Sequence, residues 1–297
     1  MNGILCIDKP QDFTSFDVVA KLRGILGMRR LGHAGTLDPM ATGVLPVFVG
    51  NATKACDIMP DNSKSYKAGF RLGQTTDTQD ITGTILTTSE KMVSEDDIDK
   101  ILPEFTGKIM QIPPMYSAVQ VKGQRLYDLA RQGIEIERQP REIDVEKISL
   151  IDYDEKTRTG NITISCGKGT YIRTIIHDIG GKLGCGGIMT SLVRTSASGF
   201  TLDDCYTLEQ VQQARNENCL ESLILPVERL FNTLPKIRLN EHQTKLYRNG
   251  VKLDLERINN IKSDVRDYAV YGYDSNFIGT ALAEHDNGIL RIGKNLV

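Results

Sequence analysis

Leu31-Gly32-His33-Ala34-Gly35-Thr36-Leu37-Asp38-Pro39-Met40-Ala41-Thr42-Gly43, running into Val44-Leu45-Pro46-Val47-Phe48-Val49, is the stretch on which the reading of this chain turns. Residues 31–43 are punctuated by glycine and proline too densely for any regular element, so a loop is expected. Val44 to Val49 reads as a strand, and Pro46 inside it implies a sheet edge or a bulge. Glycines 32, 35 and 43 let backbone approach a ligand closely. Asp38 has two readings. Aspartate before proline is ordinary turn chemistry, and Thr36, Asp38 and Thr42 could bond their own backbone. The alternative is a carboxylate displayed for catalysis beside His33, after a basic helix.

Upstream, Gly3 to Ile7 reads as a short buried strand stopped by Asp8-Lys9-Pro10. Thr14-x-x-Asp17 has the form of a capping box, and Val18, Val19, Leu22, Ile25 and Leu26 make a helical stripe behind it. Downstream, Tyr66, Ala68, Phe70 and Leu72 alternate with Lys67, Gly69 and Arg71 at strand spacing. Ser94-x-x-Asp97 opens a helix with Ile98, Ile101, Leu102 and Phe105 on one face. Further strands are expected near 108–112, 116–121, 142–151 and 161–166. A helix over Thr170 to Leu183 carries Ile172, Ile175, Ile176, Ile179 and Leu183 on one face. Gly180 to Gly187 follows that helix, so it reads as a C-cap and turn rather than a phosphate cradle. Periodicity fades over 225–235. Beyond it short strands recur at Val251–Leu255, Tyr268–Tyr273, Phe277–Ala283 and Ile289–Ile292, with turns at Asn249-Gly250 and Asp286-Asn287-Gly288. Strands and helices intermix without βαβ alternation. The expected class is therefore α+β, a domain over 1–234 around a mainly antiparallel mixed sheet and a small β-rich domain over 235–297.

Composition narrows the class of function. With 40% hydrophobic and 25% charged residues the chain is an ordinary globular one, and no apolar run approaches the roughly eighteen residues of a membrane span. The opening Met1-Asn2-Gly3-Ile4-Leu5-Cys6-Ile7-Asp8 does not read as a signal peptide, so the cytoplasm is the expected location. The six cysteines are scattered without C-x-x-C and the four histidines lie far apart, which argues against a disulfide framework or a metal site. Net charge is −2, a mild argument against a nucleic-acid partner. Binding needs a local basic surface, however, and basic residues do cluster at Arg23, Arg29 and Arg30, at Lys64, Lys67 and Arg71, and at Arg125, Arg131, Arg138 and Arg141. From charge alone, a solvated surface with no partner is the plainer reading.

Three further residues could carry chemistry. Tyr66 starts an alternating strand on its apolar face; it is either an ordinary core tyrosine or a flat ring on which an extruded base stacks. Arg173 lies in the first turn of a helix, where the macrodipole disfavours a cation. It is either exposed and idle or paired with a carboxylate that it holds ionised. Lys168-Gly169-Thr170 just ahead leaves backbone N–H groups at a helix N-terminus for a phosphate.

Gly32-His33-Ala34-Gly35-Thr36-Leu37-Asp38-Pro39-Met40-Ala41-Thr42-Gly43-Val44-Leu45 resembles the signature of the bacterial tRNA pseudouridine synthase B family, G-H-x-G-x-L-D-P-x-A-x-G-x-L. Asp8-Lys9-Pro10 matches that family's opening motif, and Lys64-Ser65-Tyr66 through Asp80 matches the segment whose tyrosine stacks on the target base. Cys166-Gly167-Lys168-Gly169-Thr170-Tyr171-Ile172-Arg173 is similar to the motif whose arginine pairs with the catalytic aspartate, although the family often has serine at the place of Gly167. Ile112-Pro113-Pro114-Met115-Tyr116-Ser117-Ala118 also matches, and Leu192-Val193-Arg194 resembles the last motif, whose leucine packs in the active site. The blocks keep family order over roughly residues 3–200. Beyond 235 the match is looser, to a PUA-like RNA-binding domain.

The resemblance implies a tRNA pseudouridine-55 synthase, with Asp38, Tyr66 and Arg173 catalytic and with His33, Lys9, Lys64, Lys168, Tyr171 and Leu192 against the substrate. The implied substrate is the T-loop of tRNA, from which a uridine is flipped before isomerisation. No cofactor and no metal are implied, nor a guide RNA or a membrane, and a monomer is the default. Two other classes remain open: a non-catalytic RNA-binding protein, and a carboxylate-based glycoside or nucleoside hydrolase with Asp80 as its second acid.

Overall fold

The expected capping box forms: Thr14 Oγ1 accepts the amide of Asp17 at 3.0 Å, and the Asp17 carboxylate accepts the amide of Thr14 at 2.8 Å. In the computed structural model, which describes residues 1–121 and 123–296, that box starts helix α1 (Ser15–Leu26) behind strand β1 (Gly3–Lys9). The expected apolar stripe is buried, and the helix stops at Gly27, whose left-handed φ of 64° turns its amide onto the Arg23 carbonyl. The strand runs past Ile7 as far as Pro10 allows, so Lys9 sits in the sheet.

The expectation of a structureless 31–43 is corrected. Leu31–His33 forms β2, antiparallel to β3 (Thr42–Val49), with Leu31, Gly32 and His33 opposite Val49, Phe48 and Val47. Glycine spacing hid the strand, because register with a later segment creates it rather than local propensity. Pro46 sits just beyond the end of β2, where its carbonyl still accepts the Ala34 amide at 3.0 Å.

Strand β4 (Lys64–Leu72) buries Tyr66, Ala68, Phe70 and Leu72 and exposes Lys67 and Arg71, as the alternation requires. A small hairpin, β5 (Gln74–Thr76) and β6 (Ile85–Thr88), leads to α2 (Glu95–Ile101), capped by Ser94 and Asp97. The expected single helical face to Phe105 is divided. Pro103 has no amide to continue the α ladder, so 102–105 is a 3₁₀ turn. β7 (Gly107–Gln111) follows. The strand expected over 116–121 shrinks to β8 (Gln120–Val121), paired with β9 (Gln124–Arg125) ahead of the short α3 (Leu126–Ala130). Long strands β10 (Arg141–Asp154) and β11 (Thr159–Cys166) precede α4 (Ile172–Lys182) and β12 (Gly187–Ala197). The order β12-β4-β11-β10-β7 is antiparallel throughout. Thr42 and Gly43, the first residues of β3, lie parallel to Val193 and Arg194 of β12. Helix α4 approaches β12 so closely that a Cβ on Gly180 would run into the Gly187 amide.

The rest of the chain adds β13 (Phe200–Thr201) and α5 (Leu208–Asn216). Apolar residues of α1, α5, β1 and β3 share one core, including Leu5, Val18, Leu22, Val47 and Val211. A second sheet uses β14 (Lys236–Arg238), β15 (Leu253–Asp254), β16 (Asp267–Tyr271), β17 (Phe277–Glu284) and β18 (Ile289–Asn295) in the order β14-β16-β17-β18-β15. Its core joins Ile237, Tyr247, Tyr268, Val270, Ile278 and Leu290, with Tyr247 supplied by α6 (Glu241–Arg248). The class is α+β with a C-terminal β-rich part.

By its internal contacts the chain divides into two compact units, one of residues 1–38, 44–61 and 198–297 and one of 39–43 and 62–197. No helix among the described residues is long and apolar enough to cross a membrane.

Candidate active site

In the first unit Asp38 is half-buried, in irregular backbone between β2 and β3. Its predecessor Leu37 is 3% exposed and is held by a buried serine from α1: the Leu37 amide donates to Ser15 Oγ at 2.9 Å. The Ser15 hydroxyl lies 3.4 Å from the Leu37 carbonyl, a weaker second contact. His33, on β2 opposite Val47, is half-buried. Lys9 has no exposed surface, and its ammonium donates to the carbonyls of Pro10 at 2.8 Å and Phe13 at 2.6 Å. These two bonds tie Lys9 to the turn that follows β1.

The second unit holds the other expected residues. Tyr66 is 7% exposed near the start of β4, opposite Ile164 of β11 and Arg194 of β12. Directly opposed residues of an antiparallel pair put their side chains on one face. Arg194 has no exposed surface and so stands beside the Tyr66 ring, with Leu192 opposite Ala68 on the same face. The register thus puts Tyr66, Leu192 and Arg194 on one face of the sheet, and it adds a buried cation that the sequence showed only as the tail of a motif. Lys64, half-buried, donates to the Asn62 carbonyl at 2.9 Å.

Arg173 is buried rather than on the solvent side of α4. Its Nη2 donates to the Tyr116 carbonyl at 2.6 Å, and its Nη1 lies 3.7 Å from Asp80 Oδ2. The expected helix start is corrected by two residues. α4 begins at Ile172, and the Tyr171 amide ahead of it is taken by Gln111 Oε1 at 2.9 Å, while Gln111 Nε2 donates to the Tyr171 carbonyl at 3.0 Å. Tyr171 is half-buried; Lys168, three residues earlier, is exposed.

Asp80 is 4% exposed and accepts from Thr78 Oγ1 at 2.7 Å, Thr82 Oγ1 at 2.6 Å and the Thr82 amide at 2.9 Å. It pairs with Arg173, a role not read from the sequence. Beside it Gln79 adopts a left-handed φ of 65°, and its side chain accepts from Thr174 Oγ1 at 2.7 Å. A non-glycine residue held there is locally strained, so the turn that presents Asp80 is fixed by α4. The one signal that could have found this pair is the Thr76-Asp77-Thr78-Gln79-Asp80 run, dense in turn formers. Among the described residues no group of histidine, cysteine and acidic side chains could hold a metal ion.

An exposed basic cluster surrounds α3. Arg125 and Arg131 lie with their guanidinium carbons 5.8 and 5.5 Å from the centre of the Tyr127 ring. Cations arranged on a ring are groups on which single-stranded nucleic acid can stack and pair.

Residues 23–172 match the model of the TruB family pseudouridylate synthase N-terminal domain, and 173–232 that of the tRNA pseudouridylate synthase B C-terminal domain. The tRNA pseudouridine synthase B of Dehalococcoides mccartyi (strain BAV1) is 42% identical over 289 residues, 96% of this chain and 94% of that protein. The same-named protein of Bacillus pumilus is 42% identical over 260 residues, 86% of this chain and 84% of its own. Among solved structures, a Cbf5-Nop10-Gar1 complex contains a chain of similar fold, with a TM-score of 0.76 and 26% identity over 99% of this chain and 85% of that one.

Proposed function

The chain belongs to the TruB family of pseudouridylate synthases and has their fold, and from that premise we propose that it isomerises uridine 55 in the T-loop of tRNA with Asp38 as nucleophile. Isomerisation breaks the N1–C1′ bond, turns the base and joins C5 to C1′, releasing the C5 proton. The atoms balance without metal, cofactor or energy source. Attack on the ring and attack at C1′ both need Asp38 ionised.

The observation that carries this reading is the restraint on the Asp38 loop. Leu37 on one side is tied to Ser15, and Thr42 and Gly43 on the other lie in register with Val193 and Arg194. A carboxylate on an otherwise irregular segment is thereby preorganised, as a nucleophile requires. Arg173, anchored to Asp80 and Tyr116, is the cation assigned to Asp38; Tyr66 is the ring assigned to stacking on the base. Leu192 packs beside Tyr66, and His33 takes the space that the base leaves. Lys64, Lys168 and Tyr171 face the RNA, while Lys9 acts through its turn. Extruding the base costs about a few kcal/mol, which stacking on the ring offsets.

The catalytic domain spans 1–234, and 235–297 is a PUA-like RNA-binding domain. The enzyme acts as a cytoplasmic monomer without a guide RNA. The decisive experiment measures tritium release from C5-labelled uridine in an unmodified tRNA transcript, for wild type and Asp38→Asn. Release by wild type alone, with tRNA binding intact in both, is expected. Release by both removes Asp38 as nucleophile. Binding without release by either leaves a pure RNA-binding protein, and free uracil among the products points to a hydrolase.

A further inference from the structure

We infer that Ser15 is a positioning residue for Asp38: its buried hydroxyl fixes the backbone from which the nucleophile projects. The inference rests on Asp38 being the nucleophile.

Ser15 is the first residue of α1 and 1% exposed. The helix does not use its side chain. Thr14 is the N-cap and makes both hydrogen bonds of the capping box with Asp17. A buried hydroxyl at such a position is costly unless it is paired. The partner of this hydroxyl is the main chain of Leu37, 22 positions later, at 2.9 Å from its amide and 3.4 Å from its carbonyl. Leu37 is the residue before Asp38, and its own side chain is buried at 3% exposure, so side chain and backbone are held together.

The tie continues backwards. Lys9, inside β1, donates to the Phe13 carbonyl, and Phe13 precedes the Thr14 cap that begins the helix at Ser15. One hydrogen-bonded path thus runs from the sheet through the turn and the helix start to the residue beside Asp38. Of the backbone amides between β2 and β3, that of Ala34 is anchored on Pro46 and that of Leu37 on Ser15. The second of these lies next to Asp38, and the Ser15 side chain provides it.

The test uses the full chain and an unmodified tRNA transcript. Ser15→Ala is expected to lower kcat by about ten- to hundred-fold, the scale of a misplacement of about one ångström. Its tRNA dissociation constant is expected to stay near wild type, and its melting temperature to fall by only a few degrees, as one unpaired buried amide requires. Ser15→Thr, which restores a hydroxyl on the same carbon, is expected to recover most of the turnover. Amide hydrogen exchange at Leu37, read without RNA, is expected to be slow in wild type and faster in Ser15→Ala. Asp38→Asn is run alongside. If it is inactive while Ser15→Ala keeps wild-type kcat, the positioning role is overturned. If Asp38→Asn stays active, the reading beneath the inference fails instead. A Ser15→Ala protein that loses tRNA binding and thermal stability as fast as it loses kcat, with no recovery by threonine, makes Ser15 a structural residue only and also overturns the proposal. Unchanged exchange at Leu37 shows that the tie does not exist in solution and overturns it as well.

Discussion

Asp80→Asn probes the buried charges of the second unit with the least change in shape. Asp80 Oδ1 accepts from Thr78, from the Thr82 amide and from the Thr82 hydroxyl, and the asparagine carbonyl can inherit all three contacts. The substitution changes Oδ2, which faces Arg173 Nη1 at 3.7 Å. An amide group there sets N–H against N–H, and the guanidinium, itself 6% exposed, loses the Asp80 charge. With an effective dielectric constant of about 20, two charges at this distance attract by about 4.5 kcal/mol. Breaking a buried pair by neutralising one partner costs about 3–5 kcal/mol. The lower end applies, because Arg173 keeps its 2.6 Å bond to the Tyr116 carbonyl. A loss of about 3 kcal/mol corresponds to about 5 °C in melting temperature for a chain of this size. Turnover should fall about ten- to hundred-fold, since Arg173 loses the contact that orients it. The assay is thermal unfolding followed by circular dichroism, with tritium release and tRNA binding measured on the same preparations. A variant that melts with the wild type and turns over at the wild-type rate refutes the claim that Asp80 holds Arg173.

The remaining expectations are briefer. Tyr66→Phe should bind tRNA as wild type and lose about 10²- to 10⁴-fold in turnover, the range of a lost proton-transfer group; unchanged turnover leaves stacking as its only role. Arg173→Lys keeps the charge but loses the fork that reaches Tyr116 and Asp80 at once, so kcat should drop while the fold persists; a wild-type rate sinks the Asp38–Arg173 pairing. Burial works to raise the Asp204 carboxyl, yet the Arg229 hydrogen bonds, the Thr201 amide and the Arg229 charge outweigh it and hold the group below its ordinary 3.8. A carboxyl depressed in the folded state contributes stability above its unfolded pKa and loses it as pH falls through the folded one. The stability gap between wild type and Arg229→Gln should therefore be constant near neutrality and shrink in acid below about pH 4. A gap that stays flat into that range contradicts the ion-pair account.

The sequence made α1, α2 and β4 legible because each is decided locally, by a capping box or by alternation that tertiary contacts then respected. β12 went unread for a physical reason. Its register against β4 shifts between Met189 and Ser191 and again between Arg194 and Ser196, so no uninterrupted period of two survives in its sequence. Helices α5 and α6 were also missed, although Thr207-x-x-Gln210 and Asn240-x-x-Gln243 cap them just as Thr14 and Asp17 cap α1. Their apolar stripes are short, and a box without a long stripe looks like a turn. Arg173 lies off the apolar stripe of α4, a position that reads as solvated in the sequence. It is buried because Asp80 and the 116 carbonyl, both outside the helix, receive it.

That last case generalises within this chain. Asp38, Tyr66 and Arg173 stand out in the sequence because they fall in motifs that resemble those of the family. The groups that restrain such residues are ordinary polar side chains: Ser15 on Leu37, Gln111 on Tyr171, Thr174 on Gln79 and Asp80 on Arg173. Each of the first three is separated from its partner by 22, 60 and 95 positions respectively. Taken alone, a serine or a glutamine reads as surface, since a buried polar group is unfavourable until its partner is known. The restraint is a property of the pair, and the pair exists only in the fold. A relative could therefore carry every residue of the Gly32–Leu45 signature and still turn over slowly if it had lost Ser15 or Gln111. On the proposed reading the signature names the groups that react, and these distant braces set how well they are aimed.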